Sequence, residues 1–437
     1  ISIPIIAIIF LQTLYSVIDA FWIAGLGESA IIAVGYVLNI WYILQKLGEG
    51  IGRSSNILSS TALGAKDYSQ ANNIACHGLI IILGLSIILP IIFIIFINPI
   101  CYLGHLERYS ILITDYFIIP SIFIVFLLLS NYFSAILGSE GDTKRASLIV
   151  IFGNIINIIL DPILIYKFNF GIFGAGLATT IGCLCSFALF YYLFYVKGDS
   201  VIKLSRSNFK YDRDIFKQII KLAVPLIING FILTIMGLMI NYSLHLFSNP
   251  YMSFGYVVLL RIQTLMFTPI QGISQGFCIV TAHLTGARRF ETIISTLKKT
   301  LGIVLVFAVI FSLFYLNSYH NIINHFTSNV DAKNAIASIM VFSIINYLLQ
   351  PAVRIFSYTF AGLGKSIYCL MSLLVNIILF VVFMFMGALI FKSGEFSIFI
   401  AIVLSDVGQL LIMGMLLQQT FAEKIKIPTS EAQISGN

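Results

Sequence analysis

The stretch HGLIIILGLSIILPIIFIIFINPI, residues 77–100, contains no Asp, Glu, Lys or Arg. About twenty such residues wound as a helix span roughly 30 Å, the thickness of a hydrocarbon core. Comparable runs recur throughout the 437 residues. Inside lipid no water serves the backbone, so a crossing segment must be a helix or part of a closed barrel. Strands of alternating polarity, which a barrel requires, are not visible. The chain therefore reads as an all-α integral membrane protein. Composition agrees: 59% of residues are hydrophobic and 10% are charged, against about a quarter charged in soluble domains. The mean hydropathy is +1.00.

Twelve spans are expected, near 1–24, 30–62, 75–103, 109–138, 146–167, 172–197, 215–247, 250–284, 296–325, 331–362, 366–392 and 396–421. They divide into a first lobe (1–200), a linker (201–214), a second lobe (215–421) and a polar tail (422–437). The loops after every even-numbered span, with the tail, carry seventeen Lys and Arg residues; the opposite loops carry four, Arg108, Lys167, Lys333 and Lys392. Basic residues concentrate on the cytoplasmic side, so both termini are expected there, at the plasma membrane. The net charge of +7 then follows from topology without a nucleic-acid partner. The basic stretch near 198–221 reads as a solvated loop facing lipid headgroups. The chain starts at Ile1 without Met, so native residues are expected before it. Its first apolar segment offers no small-residue cleavage site, and no signal peptide is expected.

The chain also repeats itself. Gly50, Ile51, Gly64, Ala65 and Lys66 match Gly272, Ile273, Gly286, Ala287 and Arg288 at an offset of 222. FSAILGSEG (133–141) matches FSYTFAGLG (356–364) at 223. GYV recurs at 35 and 255, and Pro4 matches Pro225. These matches predict two six-helix bundles in tandem. Six is even, so the halves share one orientation. A pseudo-twofold axis along the membrane normal is expected, with a cavity near midplane, as in carriers that rock two bundles.

The halves differ where chemistry is concerned. NIIL (157–160) is followed by Asp161, whereas NIIL (376–379) is followed by Phe380. Asp19 in the first span aligns near Asn241. Asn154, Asn157 and Asp161 fall three, four and seven residues apart and share one helix face. Pro162 follows and removes a donor from the carbonyl of Ile158. Carboxylate, amide and carbonyl oxygens suit a small hard cation or a proton. Gly171, Gly174 and Gly176 permit close approach of the sixth span, and Thr179 and Thr180 fall at a depth to meet Asn157 and Asp161. A charged Asp at mid-bilayer costs on the order of 3 kcal/mol on insertion scales, so two of them facing lipid would not persist. The alternative weighed for Asp161 is a plain helix–helix hydrogen bond.

GSEGDTKRASLIVIFGNIINIILDPILIYKFNFGIFGAGLATTIG (138–182) resembles the span 4–6 region of the multidrug and toxic compound extrusion (MATE) family. The matching pieces are Gly138, Gly141, Asp142, Thr143 and Lys144, then N-x-x-N-x-x-x-D-P and G-x-x-G-A-G-L-A-T. SVIDAFWIAGLGESAIIAVG (16–35) is similar to the family's first-span signature. The resemblance implies a two-lobe antiporter that expels cationic or amphipathic drugs against Na⁺ or H⁺. It places the cation site on Asp19, Asn157, Asp161 and Thr179, which would ligate Na⁺ if the carrier is sodium-coupled. Some branches carry an essential acid in span 7 or 8; this chain has Asn229, Asn241 and Arg261 there and looks like the DinF-like branch.

The remaining polar residues have plainer readings. Lys46, Glu49 and Arg53 are expected as an ion-pair cluster within span 2. Arg261 or Arg354 is expected to pair with Asp406, with substrate contact as the rival. Gln271, Gln275 and Gln350 are polar enough to line a cavity. Asp142 reads as loop closure at a helix start. The six cysteines have no metal or redox spacing and the six histidines none for metals, and the histidines read as interfacial. GLGKS (362–366) lacks the earlier glycine of a phosphate loop, because Thr359 stands there. With no hydrolase or ATPase motif, nothing argues for an enzyme, and no cofactor is expected beyond the coupling ion. Pro4, about four turns before Asp19, is expected to let the first span bend. A monomer in contact with membrane lipid is expected. A lipid-linked oligosaccharide flippase and a passive channel are the rival functions.

Overall fold

A computed structural model describes residues 1–103, 110–247, 250–390 and 396–426. Thirteen α-helices occupy these residues: α1 (Ser2–Ala24), α2 (Glu28–Gly64), α3 (Tyr68–Leu103), α4 (Ser110–Ile122), α5 (Ile124–Ser139), α6 (Thr143–Pro162), α7 (Gly171–Tyr191), α8 (Arg213–Phe247), α9 (Pro250–Gly286), α10 (Phe290–Phe326), α11 (Val330–Gly362), α12 (Ser366–Leu389) and α13 (Phe396–Lys426). Single π-helical turns extend α6 through Ile163–Lys167 and α7 through Tyr192–Val196. Ten helices among the described residues are long and apolar enough to cross a hydrocarbon core. Of the two other expected spans, α2 carries Lys46, Glu49 and Arg53, and the fourth is divided. The tail expected over 422–437 lies outside the described residues beyond Lys426, as do Arg108 and Lys392.

The chain forms two compact units, Ile1–Ile227 and Ile228–Asn437. The first packs around Leu128, Tyr132, Phe133, Ile136 and Phe190. The second has two apolar clusters, one around Ile336, Ile339 and Phe380 and one around Ile270, Phe360 and Met413. Backbone conformation bears out the repeat. Lys66 (φ 62°) and its counterpart Arg288 (φ 55°) both take the left-handed conformation, and so do Gly141 (φ 86°) and Gly364 (φ 75°). Matched helix ends therefore turn in matched ways.

The fourth span departs from expectation. It breaks at Phe123 into α4 and α5. Pro120, in the last turn of α4, has no N–H and crowds the carbonyl of Tyr116. Gly176 of α7 fills this place: a side chain there would strike the Tyr116 oxygen and the Pro120 ring.

The basic linker is a correction of another kind. It is docked on the first unit instead of standing free. Glu140 accepts from the Ser200 hydroxyl at 2.5 Å and from the backbone N–H of Val201 (3.0 Å) and Ile202 (2.7 Å). Asn72 and Asn73 accept from the N–H of Lys203 (2.8 Å) and Lys210 (3.0 Å). His77, expected at an interface, is buried in α3 and accepts from the Asp212 N–H at 3.0 Å. Ile202 and Leu204 of this strap are themselves buried. Short-range sequence pattern did not reveal it because its partners lie sixty or more residues away.

Candidate functional site

The site begins with how closely α6 and α7 approach. A Cβ on Gly182 would stand 2.7 Å from the Gly153 carbonyl oxygen and 3.1 Å from the Asn157 Cβ; one on Gly153 would stand 2.6 Å from the Gly182 oxygen. Gly174 packs as tightly on the backbone of Leu164, 2.8 Å from an added Cβ. Gly171, expected among these contacts, has nothing within 4 Å and instead supplies a turn at φ 54°. Bare backbone on both sides sets Asn157 against Thr179.

Asn157 then orients the polar groups. Its Nδ2 donates to Thr179 Oγ1 at 3.3 Å and to Asp161 Oδ1 at 3.5 Å. Thr179 donates its own proton to the Ala175 carbonyl at 3.1 Å. Its lone pairs therefore receive Asn157 and the Tyr15 hydroxyl, which stands 3.5 Å away. With the amide N–H groups so placed, the Asn157 Oδ1 is the free end. It is buried without a donor, as are Asp161 Oδ2 and Asp19 Oδ1. Thr180, the other expected partner, turns away and donates to the Gly176 carbonyl at 2.9 Å.

Asp19 comes from α1, which packs along α6. Two ties hold it there. Thr143 at the start of α6 donates to the Ile1 carbonyl at 2.9 Å, and Tyr166 just beyond Pro162 donates to the Trp22 carbonyl. Asp19 and Asp161 are 5% and 0% exposed and lie within electrostatic reach of each other. The hydroxyls of Tyr15 and Tyr116 lie within electrostatic reach of both carboxylates. Four elements, α1, α4, α6 and α7, thus converge. The structure brings together Asp19, Asn157, Asp161 and Thr179, the set that the family resemblance implies. Asn154 is not joined to them: its Nδ2 is buried with no partner. Pro4 falls in the first turn of α1, and the helix runs on without a break to Ala24.

Tyr15 and Tyr116 escaped the sequence reading. Tyr15 lies one turn before Asp19, so the helical period offered a signal. Tyr116 lies on α4, a segment far from Asp19 and Asp161 in sequence, so no local pattern pointed to it.

Chemically, the site holds three buried oxygens without donors, two of them carboxylate. Leaving buried polar atoms unpaired is costly. A proton on one carboxyl, or a small hard cation among the oxygens, would satisfy them.

The second unit treats its acid differently. Asp406 of α13 is 2% exposed. It accepts from Asn376 Nδ2 at 3.0 Å, from Asn346 Nδ2 and from Gln350. The expected ion pair with Arg261 or Arg354 is replaced by this cage of amides. Arg261 is exposed, and Arg354 acts on Asp406 through its field while stacking over Phe267, 4.9 Å from the ring centre. Asn376 is the repeat counterpart of Asn157, and Phe380, which replaces Asp161, is fully buried. Lys46, Glu49 and Arg53 do form the expected ladder on α2, with Lys46 Nζ 2.6 Å from Glu49 and Arg53 on its other oxygen.

Known proteins share this layout. The MatE family model matches residues 4–163 and again 225–386, one match in each half. The multidrug export protein MepA of Staphylococcus aureus (strain MSSA476) is 25% identical over 98% of this chain and 94% of its own. A crystal structure of MATE in the bent conformation superposes with a TM-score of 0.92 at 24% identity, over 97% of this chain and 95% of that one. An outward-facing multidrug resistance MATE family transporter of the MOP superfamily gives 0.91 at 23% identity, with coverages of 97% and 95%.

Proposed function

Since the chain belongs to the MatE family, we propose that it is a multidrug efflux antiporter that exports cationic or amphipathic compounds in exchange for Na⁺ or H⁺. The observation that carries the exchange is the set of orphaned oxygens, Asp19 Oδ1, Asn157 Oδ1 and Asp161 Oδ2, buried within one site. The relation to a multidrug export protein supports the cargo class.

In this reading a cation from outside enters the Asp19–Asp161 site and relieves the unpaired oxygens. Asn157 offers its Oδ1, and Thr179 holds the amide in the orientation that frees it. Binding stabilises the conformation in which α1 and α6 close on the ion, and drug is released. Ion release to the cytoplasm restores the drug-binding conformation. The drug must compete with the ion, since a ligand that binds all states equally shifts nothing. The gradient is sufficient: one charge moving through 100 mV yields about 2.3 kcal/mol, and each pH unit adds about 1.4 kcal/mol for a proton. The carrier acts as a monomer in the plasma membrane, with both termini in the cytoplasm, a placement that the surplus of basic residues in the loops supports.

Vesicle efflux of a fluorescent cationic dye, with Na⁺ and H⁺ gradients imposed separately, tests the exchange. Uphill movement under one gradient is expected, and its absence under both contradicts the reading. Pro4 is proposed to set how α1 bends when the ion binds. Pro4→Ala should slow efflux while expression stays normal; unchanged efflux removes that role.

A further inference from the structure

Arg354 is a charge of the second unit that the exchange does not use. It lies on α11, where no residue from 346 to 362 is exposed, and is itself half-buried. Its Nε is buried with no acceptor. The carboxylate that its field reaches, Asp406, already receives amide donors from Asn346, Asn376 and Gln350. Tyr358, also within electrostatic reach of Arg354, supplies no carboxylate. The guanidinium instead rests on the Phe267 ring, 4.9 Å from its centre.

A guanidinium offers five N–H donors in a planar fork that fits a carboxylate or a phosphate with two parallel bonds. At membrane depth an ionisable side chain marks a functional site by default, and here the Nε–H has no acceptor. The aromatic ring holds one side of the guanidinium by a cation–π contact. Gln271 and Gln275 lie one and two turns beyond Phe267 on α9, the helix that packs on α11, and both are part-buried.

We propose that Arg354, set on Phe267 and with Gln271 and Gln275 on the adjoining helix, is a recognition site for the anionic group, carboxylate or phosphate, of an amphipathic substrate. The inference rests on the transport reading above and extends its cargo from cations to zwitterions. The two units then hold separate sites, a cation site on α1 and α6 and an anion-recognising one on α9 and α11.

The test uses the full chain in neutral-lipid vesicles and a pair of xanthene dyes, one with a free carboxylate and one with its ethyl ester. The readout is the ratio of their dissociation constants. Wild type should prefer the carboxylate dye; Arg354→Gln should lower that preference by about tenfold, and Arg354→Lys, which keeps charge but loses the fork, by less. An equal ratio in wild type and Arg354→Gln overturns the proposal. Should Arg354→Gln fail to fold, wild type decides: benzoate should displace the carboxylate dye and leave the ester bound, and displacement of both or neither overturns the site. Exchange of neutral lipid for phosphatidylglycerol separates the anion sources. Loss of carboxylate-dye binding in that lipid overturns the substrate assignment in favour of a headgroup phosphate. Gradient-driven efflux of the ester dye reports the transport reading separately, so the two failures are distinguishable.

Discussion

Asp161 on α6 and Asp406 on α13 are both buried acids at membrane depth, and their surroundings are opposite in kind. Asp161 receives one long amide contact at 3.5 Å, keeps an oxygen without a donor and faces a second carboxylate, Asp19. Asp406 receives amides from three residues on two helices and has an arginine within its field. The repeat supplies an asparagine to each, Asn157 and Asn376. In the first half that asparagine shares its helix with the acid; in the second it reaches across to another helix. An under-satisfied acid has an oxygen left for a proton or a cation, and a satisfied one has its oxygens engaged by amides. The comparison teaches that membrane depth alone does not make a coupling residue. Under the proposed exchange, the count of donors is what separates the two acids.

The comparison can be broken first by neutralising each acid. Asp161→Asn should reduce gradient-driven efflux to background, while its thermal stability is unchanged or raised, because an isosteric amide removes a poorly compensated buried charge. Retained coupling, or a large loss of stability, would place Asp161 with Asp406. The next largest effect is steric. Gly182→Val places a side chain against the Gly153 carbonyl, so α6 and α7 must separate; a loss of about 1–3 kcal/mol in unfolding free energy is expected. Gly84→Ala, with nothing within 4 Å, is the control and should melt like wild type. Asp406→Asn should reverse the Asp161 pattern. It replaces an acceptor by a mixed group, leaves amide donors unpaired and costs about 1–3 kcal/mol of stability, while the cation dependence of efflux persists.

The smallest effect tests a carboxylate outside either site. Asp199 in the docked linker is held below its ordinary pKa chiefly by Lys197 and then by Arg145. A depressed folded value means that its contribution is present above the unfolded pKa and is lost as pH falls through the folded one. The pair is exposed to solvent, so Asp199→Asn should melt close to wild type at neutral pH, and any difference should vanish on acidification.

Fold class and repeat were legible because lipid imposes long helices and because duplicated turns keep glycines and basic residues at a constant offset. The polar stripe of Asn154, Asn157 and Asp161 followed from helical period, although Asn154 is not joined to the site. Glycine spacing left Thr179 and Thr180 open, and the family resemblance implied Thr179. Residues that meet across distant segments were not legible. The cage around Asp406 joins residues 346, 350 and 376, and nothing in sequence says that those faces converge. The docked linker and the role of Tyr116 share that cause. Arg354 was read as a partner of Asp406 because opposite charges attract; the amides had already taken the carboxylate.

Drug affinity measured against cation concentration tests the central claim most directly. Equilibrium binding of a cationic dye to purified wild type should weaken as Na⁺ or H⁺ rises, because both compete through the Asp19–Asp161 site. In Asp161→Asn the dye affinity should be independent of both ions. A variant whose dye binding weakens with cation as steeply as wild type would contradict the account.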